Sequence, residues 1–243
     1  MRRIRVHTGQ ALEVGEVVEL EAGPARHLVR VLRQRPGNPV VLFNGDGAEY
    51  SGRIETAQGS DRCRVNIESR SHPATESPLM ITLFQAIARG ERMDWCLQKA
   101  TELGVGRIVP VMTKRTEVRL DARRAERRQA HWQQVVVSAC EQSARVRVPA
   151  VEAPAPLHEA VFESAAGLFL DPAGTTRPGD LDAGPTAAFD LVIGPEGGLT
   201  GAETDWLARQ GLAGLLLGPR VLRTETAGPA AIAMLQSRFG DWD

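Results

Sequence analysis

"FDLVIGPEGGLTGAE", Phe189–Glu203, decides how this chain folds. Its first five residues form a largely apolar run of the kind that makes a strand covered on both faces. Its last four, Thr200-Gly201-Ala202-Glu203, form a capping box. There the threonine hydroxyl accepts from the amide three residues on, and the glutamate reaches back to the threonine amide. A strand, a glycine-rich loop and a helix thus follow in immediate succession. That order builds a parallel α/β sheet, in which ligands sit beyond the C-terminal ends of the strands.

The loop "GPEGGL" allows close backbone approach to a ligand through its glycines. It lacks the lysine of a phosphate loop, and the spacing of a dinucleotide fingerprint also fails. Glu196 would repel a phosphate, so a neutral or cationic nucleoside suits the loop better. One strand later the pattern recurs. "GLLLG", Gly214–Gly218, leads into "PRVLRTETAGP" and then the helix "AAIAMLQSRFG", with Gly240 as its C-cap. Thr226 is the expected N-cap of that helix, with Pro229 in its first turn. Arg223 and Glu225 in this second loop either serve a site or pair with one another.

Working outward, "LMITLFQA" (Leu79–Ala86), "RIVPVM" (Arg107–Met112) and "LFLD" (Leu168–Asp171) are further buried strands, with helices between them. "RMDWCLQKATELG" is a helix with Met93, Cys96, Leu97, Ala100 and Leu103 on one face and Gly104 as its stop. A long helix opens at Asp121. Trp95 and Trp132 fall at apolar helical positions and are expected in the core. The alternation predicts a mostly parallel α/β domain over residues 73–243.

Residues 1–72 read differently, as short strands and turns. Val40–Phe43 and Glu49–Ile54 flank Asn44-Gly45-Asp46-Gly47, a hairpin signal. "CRVNIES" is another strand. "PARHLVRVLR" is a short helix with Leu28, Val31 and Leu32 on one face. This is a small β-barrel-like domain, joined to the rest through the polar linker "SRSHPATESP".

Composition narrows the class. The chain has 243 residues, 42% hydrophobic and 24% charged, values of an ordinary globular protein. No apolar run approaches a membrane span, and the N-terminus carries no signal-peptide core. Cys63, Cys96 and Cys140 are odd in number and widely spaced, which points to a reducing cytoplasm. The histidines show no metal-binding spacing, so no metal is expected. His27, His131 and His158 read as surface or packing residues, and Cys140 as a small buried side chain. The net charge of −1 hides a gradient: 11 basic and 9 acidic residues over 1–72, 13 and 8 over 73–150, 5 and 13 over 151–243. A basic face toward an anionic partner, nucleic acid in particular, fits that asymmetry.

Four stretches, "QKATELGV", "ACEQSARVRVPA", "IGPEGGLT" and "LGPRVLRTETA", in this order, closely resemble the RsmE family of SPOUT-class 16S rRNA uridine-N3 methyltransferases. The resemblance covers nearly the whole chain. It implies a PUA-like RNA-binding β-barrel over residues 1–72. It implies a SPOUT domain over 73–243, with a C-terminal trefoil knot that folding rules alone would not suggest. It implies S-adenosylmethionine as cofactor, 16S rRNA within the assembled 30S subunit as substrate, and a homodimer. The cofactor residues it implies are Leu170, then Ile193, Gly194, Pro195, Glu196, Gly197 and Gly198, then Leu217, Gly218, Leu222, Arg223, Thr224, Thr226 and Ala227.

In the chemistry so implied, uracil N3 attacks the sulfonium methyl, and the N3 proton must be taken up. Arg223 is the candidate to stabilise negative charge on a carbonyl oxygen beside N3. Glu225 or Glu141 is the candidate proton acceptor, although Glu141 late in the long helix has Arg145 as an alternative partner. Arg2, Arg3, Arg5, Arg26, Arg30, Arg89, Arg92, Lys99, Lys114 and Arg115 are candidate phosphate contacts. Arg119, Arg123, Arg124, Arg127 and Arg128 belong either with them or to a solvated helix face.

Overall fold

The computed structural model describes residues 4–59, 61–184 and 187–242. Arg2 and Arg3 lie outside the described residues. The chain divides into two compact units, Met1–Glu76 with Cys140–Val148, and Ser77–Ala139 with Pro149–Asp243.

The first unit holds strands β1 (Arg5–His7), β2 (Val17–Glu19), β3 (Pro39–Phe43), β4 (Glu49–Gln58) and β5 (Arg62–Ser71) in one sheet of order β1-β3-β4-β5-β2. Only β1 and β3 run parallel; the other pairs are antiparallel. The expected hairpin is β3–β4. Its turn is tied by side chains: Asn44 Oδ1 accepts from the Asp46 amide at 3.2 Å, and Asp46 accepts from the Ala48 amide at 2.8 Å and the Tyr50 hydroxyl at 2.7 Å. Val6, Leu28, Leu42, Ile54, Val65 and Ile67 fill the core of this unit.

Helix α1 (Ala22–Arg26) runs into a π-helical turn, His27–Val31. The Leu32 amide there donates to the His27 carbonyl, five residues back. The wider turn breaks the 3.6-residue spacing on which the apolar face was drawn. Leu28 is fully buried, but Val31 is 63% exposed, against expectation.

The second unit is built on a parallel sheet. Its strands are β6 (Met80–Ala86), β7 (Arg107–Met112), β8 (Ala150–Val151), β9 (Ala155–Pro156), β10 (Ala166–Leu170), β11 (Ala188–Ile193) and β12 (Ala213–Leu215). The order is β12-β10-β11-β6-β7-β8, with β9 also on β7. Every pairing is parallel. Helices α2 (Glu91–Glu102), α3 (Ala122–Ser143), α4 (Gly201–Arg209) and α5 (Thr224–Phe239) complete the elements, and α3 from Cys140 on belongs to the first unit. The side chains of the central strands are buried, as their apolar runs require.

Four expectations need correction here. No α-helix joins β10 to β11 among the described residues; a 3-10 turn at Pro178–Asp180 does, in a stretch rich in Pro and Gly. Strand β12 ends at Leu215, so Leu216 to Gly218 belong to the loop. Helix α5 starts at Thr224 with Arg223 at the N-cap position, which places Thr226 inside the first turn and Pro229 deeper in the helix. Trp95 is 45% exposed, whereas Trp132 is 1% exposed. Trp95 shares its helix with the buried Met93, Cys96 and Leu97, but the stripe they form leaves it outside. No helix among the described residues is long and apolar enough to cross a membrane.

Candidate functional site

Strands β10, β11 and β12 are consecutive neighbours or next-neighbours in one parallel sheet, so their C-terminal ends open on the same edge. The loops that leave them enclose a cavity of about 710 Å³. Leu170, Asp171, Pro172 and Ala173 come from the first loop, Ile193 to Leu199 from the second, and Leu215 to Gly218 with Arg220 to Glu225 from the third. Thr204, Ala227 and Arg92 complete the lining. That volume is in the range that takes a drug-sized ligand.

The second loop is the more firmly built. The Gly198 amide donates to the Pro195 carbonyl at 2.8 Å, closing a turn, and Gly198 has φ +71°, a left-handed conformation that glycine adopts without strain. Thr200 and Glu203 make the expected capping box at the start of α4. Glu203 also accepts from the Lys114 amide at 2.8 Å. Burial works against ionisation of Glu203, but the amides of Lys114 and Thr200 and the Thr200 hydroxyl hold its carboxyl below the usual range.

The third loop is anchored at its far end. Thr224 Oγ1 donates to the Gly194 carbonyl at 2.6 Å and accepts from Gln85 Nε2 at 3.1 Å. Gln85, wholly buried on β6, accepts in turn from the Cys96 thiol at 3.2 Å. This buried network explains the early start of α5: the hydroxyl that tethers the helix to the sheet is Thr224, not Thr226. Gly228, one turn on, lets α5 lie against the same place, since a Cβ there would stand 3.1 Å from Gln85 Oε1. Burial, with the Glu225 carboxylate nearby, pushes the Cys96 thiol up to about 12, which leaves it an inert packing group.

Of the residues tied to the cofactor by resemblance, all line the cavity except Thr226. Arg223 and Glu225 line it together but do not pair. Glu225 Oε1 instead faces Arg92 Nε at 3.8 Å, and Glu225 Oε2 is buried without a hydrogen-bond partner among the described residues. Arg223 is exposed, with no ion-pair partner among the described residues. Glu141 is not in this cavity. It belongs to the first unit, where it accepts from the His7 amide at 3.0 Å and where burial raises its carboxyl above the usual range. Its expected partner Arg145 binds Glu76 at 2.7 Å instead.

The candidate phosphate contacts separate into two kinds. Arg26, Arg30, Arg89 and Lys114 are exposed, as are Arg119, Arg123, Arg124, Arg127 and Arg128. Arg89 is ion-paired with Glu117, and Lys99 holds Glu102 at 2.8 Å. Arg5 is buried: its guanidinium is spent on Glu49 and on the Arg145 carbonyl, so it is removed from the phosphate contacts. Arg115 donates to the Gly197 carbonyl at 2.8 Å and braces the loop. Arg92 lines the cavity and touches Glu196 at 3.3 Å.

Sequence reasoning missed Asp171, Pro172, Ala173, Leu199, Thr204, Leu215, Leu216, Arg220 and Val221. The Asp-Pro pair ending the "LFLD" strand was a readable turn signal, and Asp171 Oδ1 does accept from the Ala173 amide at 2.9 Å. Among the described residues no group of three or more His, Cys, Asp or Glu is placed to hold a metal ion.

Comparison with known proteins places this geometry. The family described as RNA methyltransferase domain matches residues 75–236, and the RNA methyltransferase PUA domain matches residues 24–68. Ribosomal RNA small subunit methyltransferase E of Mycobacterium tuberculosis is 32% identical over 95% of this chain and 90% of its own. The structure of that enzyme from Neisseria gonorrhoeae, bound to S-adenosyl methionine, is 38% identical, with a TM-score of 0.92 over the whole of both chains. A putative methyltransferase of Legionella pneumophila, in complex with the same cofactor, is 37% identical, with a TM-score of 0.94 over 99% of this chain and all of that one. With a family model matched over residues 75–236 and a relative 32% identical over 95% of this chain, the chain belongs to the ribosomal RNA small subunit methyltransferase E family.

Proposed function

We propose that this chain transfers a methyl group from S-adenosylmethionine to N3 of one uridine in the 16S rRNA of the small ribosomal subunit. The observation that carries the reading is the cavity between the three strand-end loops. It joins apolar side chains, Leu170, Leu217 and Leu222, to glycine backbone and to the acids Asp171, Glu196 and Glu225. Apolar walls suit a purine, and the three acids, set among the equally numerous Arg92, Arg220 and Arg223, suit a ligand that carries sulfonium and ammonium groups together with a carboxylate.

The bound cofactor supplies an electrophilic methyl group. The residues of the chain do the rest. The glycine loop and the Leu side chains bind and orient. Arg223, lining the cavity without a carboxylate partner, stabilises negative charge on a uracil carbonyl. Glu225 accepts the N3 proton; it is preferred to Glu141 because it alone lines the cavity. The exposed Arg26 and Arg30 of the first unit, and Arg89, Lys114 and the start of α3 in the second, track rRNA phosphates, so affinity falls with salt. A homodimer acting on the assembled subunit in the cytoplasm, with the knotted threading of its family, completes the reading.

The test is transfer of labelled methyl from S-adenosylmethionine to 30S subunits lacking the modification, followed by nucleoside mapping. Label at uridine N3 is expected. Label on another base or none at all overturns the assignment.

A further inference from the structure

Arg92 is the one basic side chain of α2 that lines the cavity, and it stands between two of the cavity's acids. Its Nη1 lies 3.3 Å from Glu196 Oε1, on the loop after β11, and its Nε lies 3.8 Å from Glu225 Oε1, in the first turn of α5. Glu196 Oε1 also accepts from the Arg89 amide at 3.4 Å, in the turn just before α2. One planar guanidinium therefore meets carboxylates from two separate walls. An ammonium is a point charge and would serve one of them at a time. Glu225 needs such a partner: its side chain is 15% exposed, and its other oxygen is buried without a hydrogen bond among the described residues. An isolated buried carboxylate is costly, and a neighbouring guanidinium is what offsets the cost.

Resting on the proposed function, we infer that Arg92 is a positioning residue for methyl transfer rather than a phosphate contact. It clamps the glycine loop to the start of α5 and so fixes Glu225 and the adjoining Arg223 in one arrangement. Misplacement of reacting groups by about 1 Å costs on the order of 100-fold in rate.

The experiment uses the full chain with Arg92→Gln and Arg92→Lys, and thermal unfolding confirms that each is folded. Amide hydrogen exchange of the ligand-free protein is expected to speed up in Arg92→Gln at both residues 194–199 and residues 224–227. In methyl transfer to 30S subunits, kcat of Arg92→Gln is expected to fall about 100-fold. Its KM for the subunit, and the salt dependence of that KM, should stay as in the wild type. Arg92→Lys should recover part of kcat. The inference is overturned if kcat is kept while KM rises and its salt dependence flattens, which would mark a phosphate contact. Unchanged exchange at both loops, or full recovery by lysine, would also overturn it. Calorimetry separates the two levels: no cofactor binding by the wild type removes the cavity assignment and the clamp with it, whereas normal wild-type binding with unchanged kcat and unchanged exchange in Arg92→Gln removes the clamp alone.

Discussion

The loops after β11 and β12 form facing parts of one cavity and are built in opposite ways. The first, Gly194 to Thr200, is braced from three directions: by its own turn, by Arg115 on the Gly197 carbonyl, and by Arg92 and the Arg89 amide on Glu196. The second, Leu216 to Arg223, is held at its end by Thr224, while Val221 at its tip is 81% exposed and Arg220 and Arg223 find no carboxylate among the described residues. A braced loop presents a preformed surface. A loop with unpaired cations and an uncovered apolar tip keeps its groups available for something that arrives. On the proposed function, the first loop is a preformed wall for the cofactor, and the second adds apolar contacts from Leu217 and Leu222 and carries Arg223, the group proposed for the chemistry.

The largest test of that division is Arg223→Ala. Removing a preorganised charge-stabilising donor costs on the order of 100- to 1,000-fold in kcat. Cofactor affinity by calorimetry is expected to stay near the wild-type value, and an Arg223→Ala enzyme with normal turnover would end the assignment of chemistry to the second loop. Next comes Thr224→Val, which keeps the shape and removes the hydroxyl that joins Gly194 to Gln85. Stranding buried polar groups costs about 1–3 kcal/mol, readable as a lower urea midpoint. An unchanged midpoint would mean that the two loops are not coupled there.

Glu203→Gln probes the brace itself. Loss of a capping carboxylate costs about 1 kcal/mol near neutral pH. The sign follows from the lowered carboxyl of Glu203: its stabilisation is present above the unfolded value and is lost as pH falls through the folded one. The gap between wild type and variant should therefore close in acid, and a gap that widened there would contradict the direction of the shift. Smallest of all is Val221→Ser, expected to change stability by less than about 0.5 kcal/mol. A larger loss would show that the tip is packed after all.

How much of this could be read from residues alone varies along the chain. The central strands β6, β7 and β11 and the Thr200 cap follow local rules of period and capping and stand where those rules put them, whereas β12 stops at Leu215, short of its apolar run. What local rules miss is any contact whose partner is far away. Arg5, Arg92 and Arg115 look alike as charges, yet their fates are set by Glu49, Glu196 and Gly197, between 44 and 104 residues distant. The cap at Thr226 failed for the same reason, because Thr224 bonds Gln85 on β6, 139 residues back in the chain. At Val31 the fault was one of period, a π-helical turn inside an apparent α-helix.

The bond between Gln85 and Thr224 spans 139 residues of chain. A ribosome adding about 5–20 residues each second needs roughly 7 to 28 seconds to make that stretch. Throughout that interval Gln85 waits on a strand already synthesised, and the third wall of the cavity does not yet exist. Completion of the cavity therefore waits on α5, and ligand capture is a sign that the parallel sheet has received that helix.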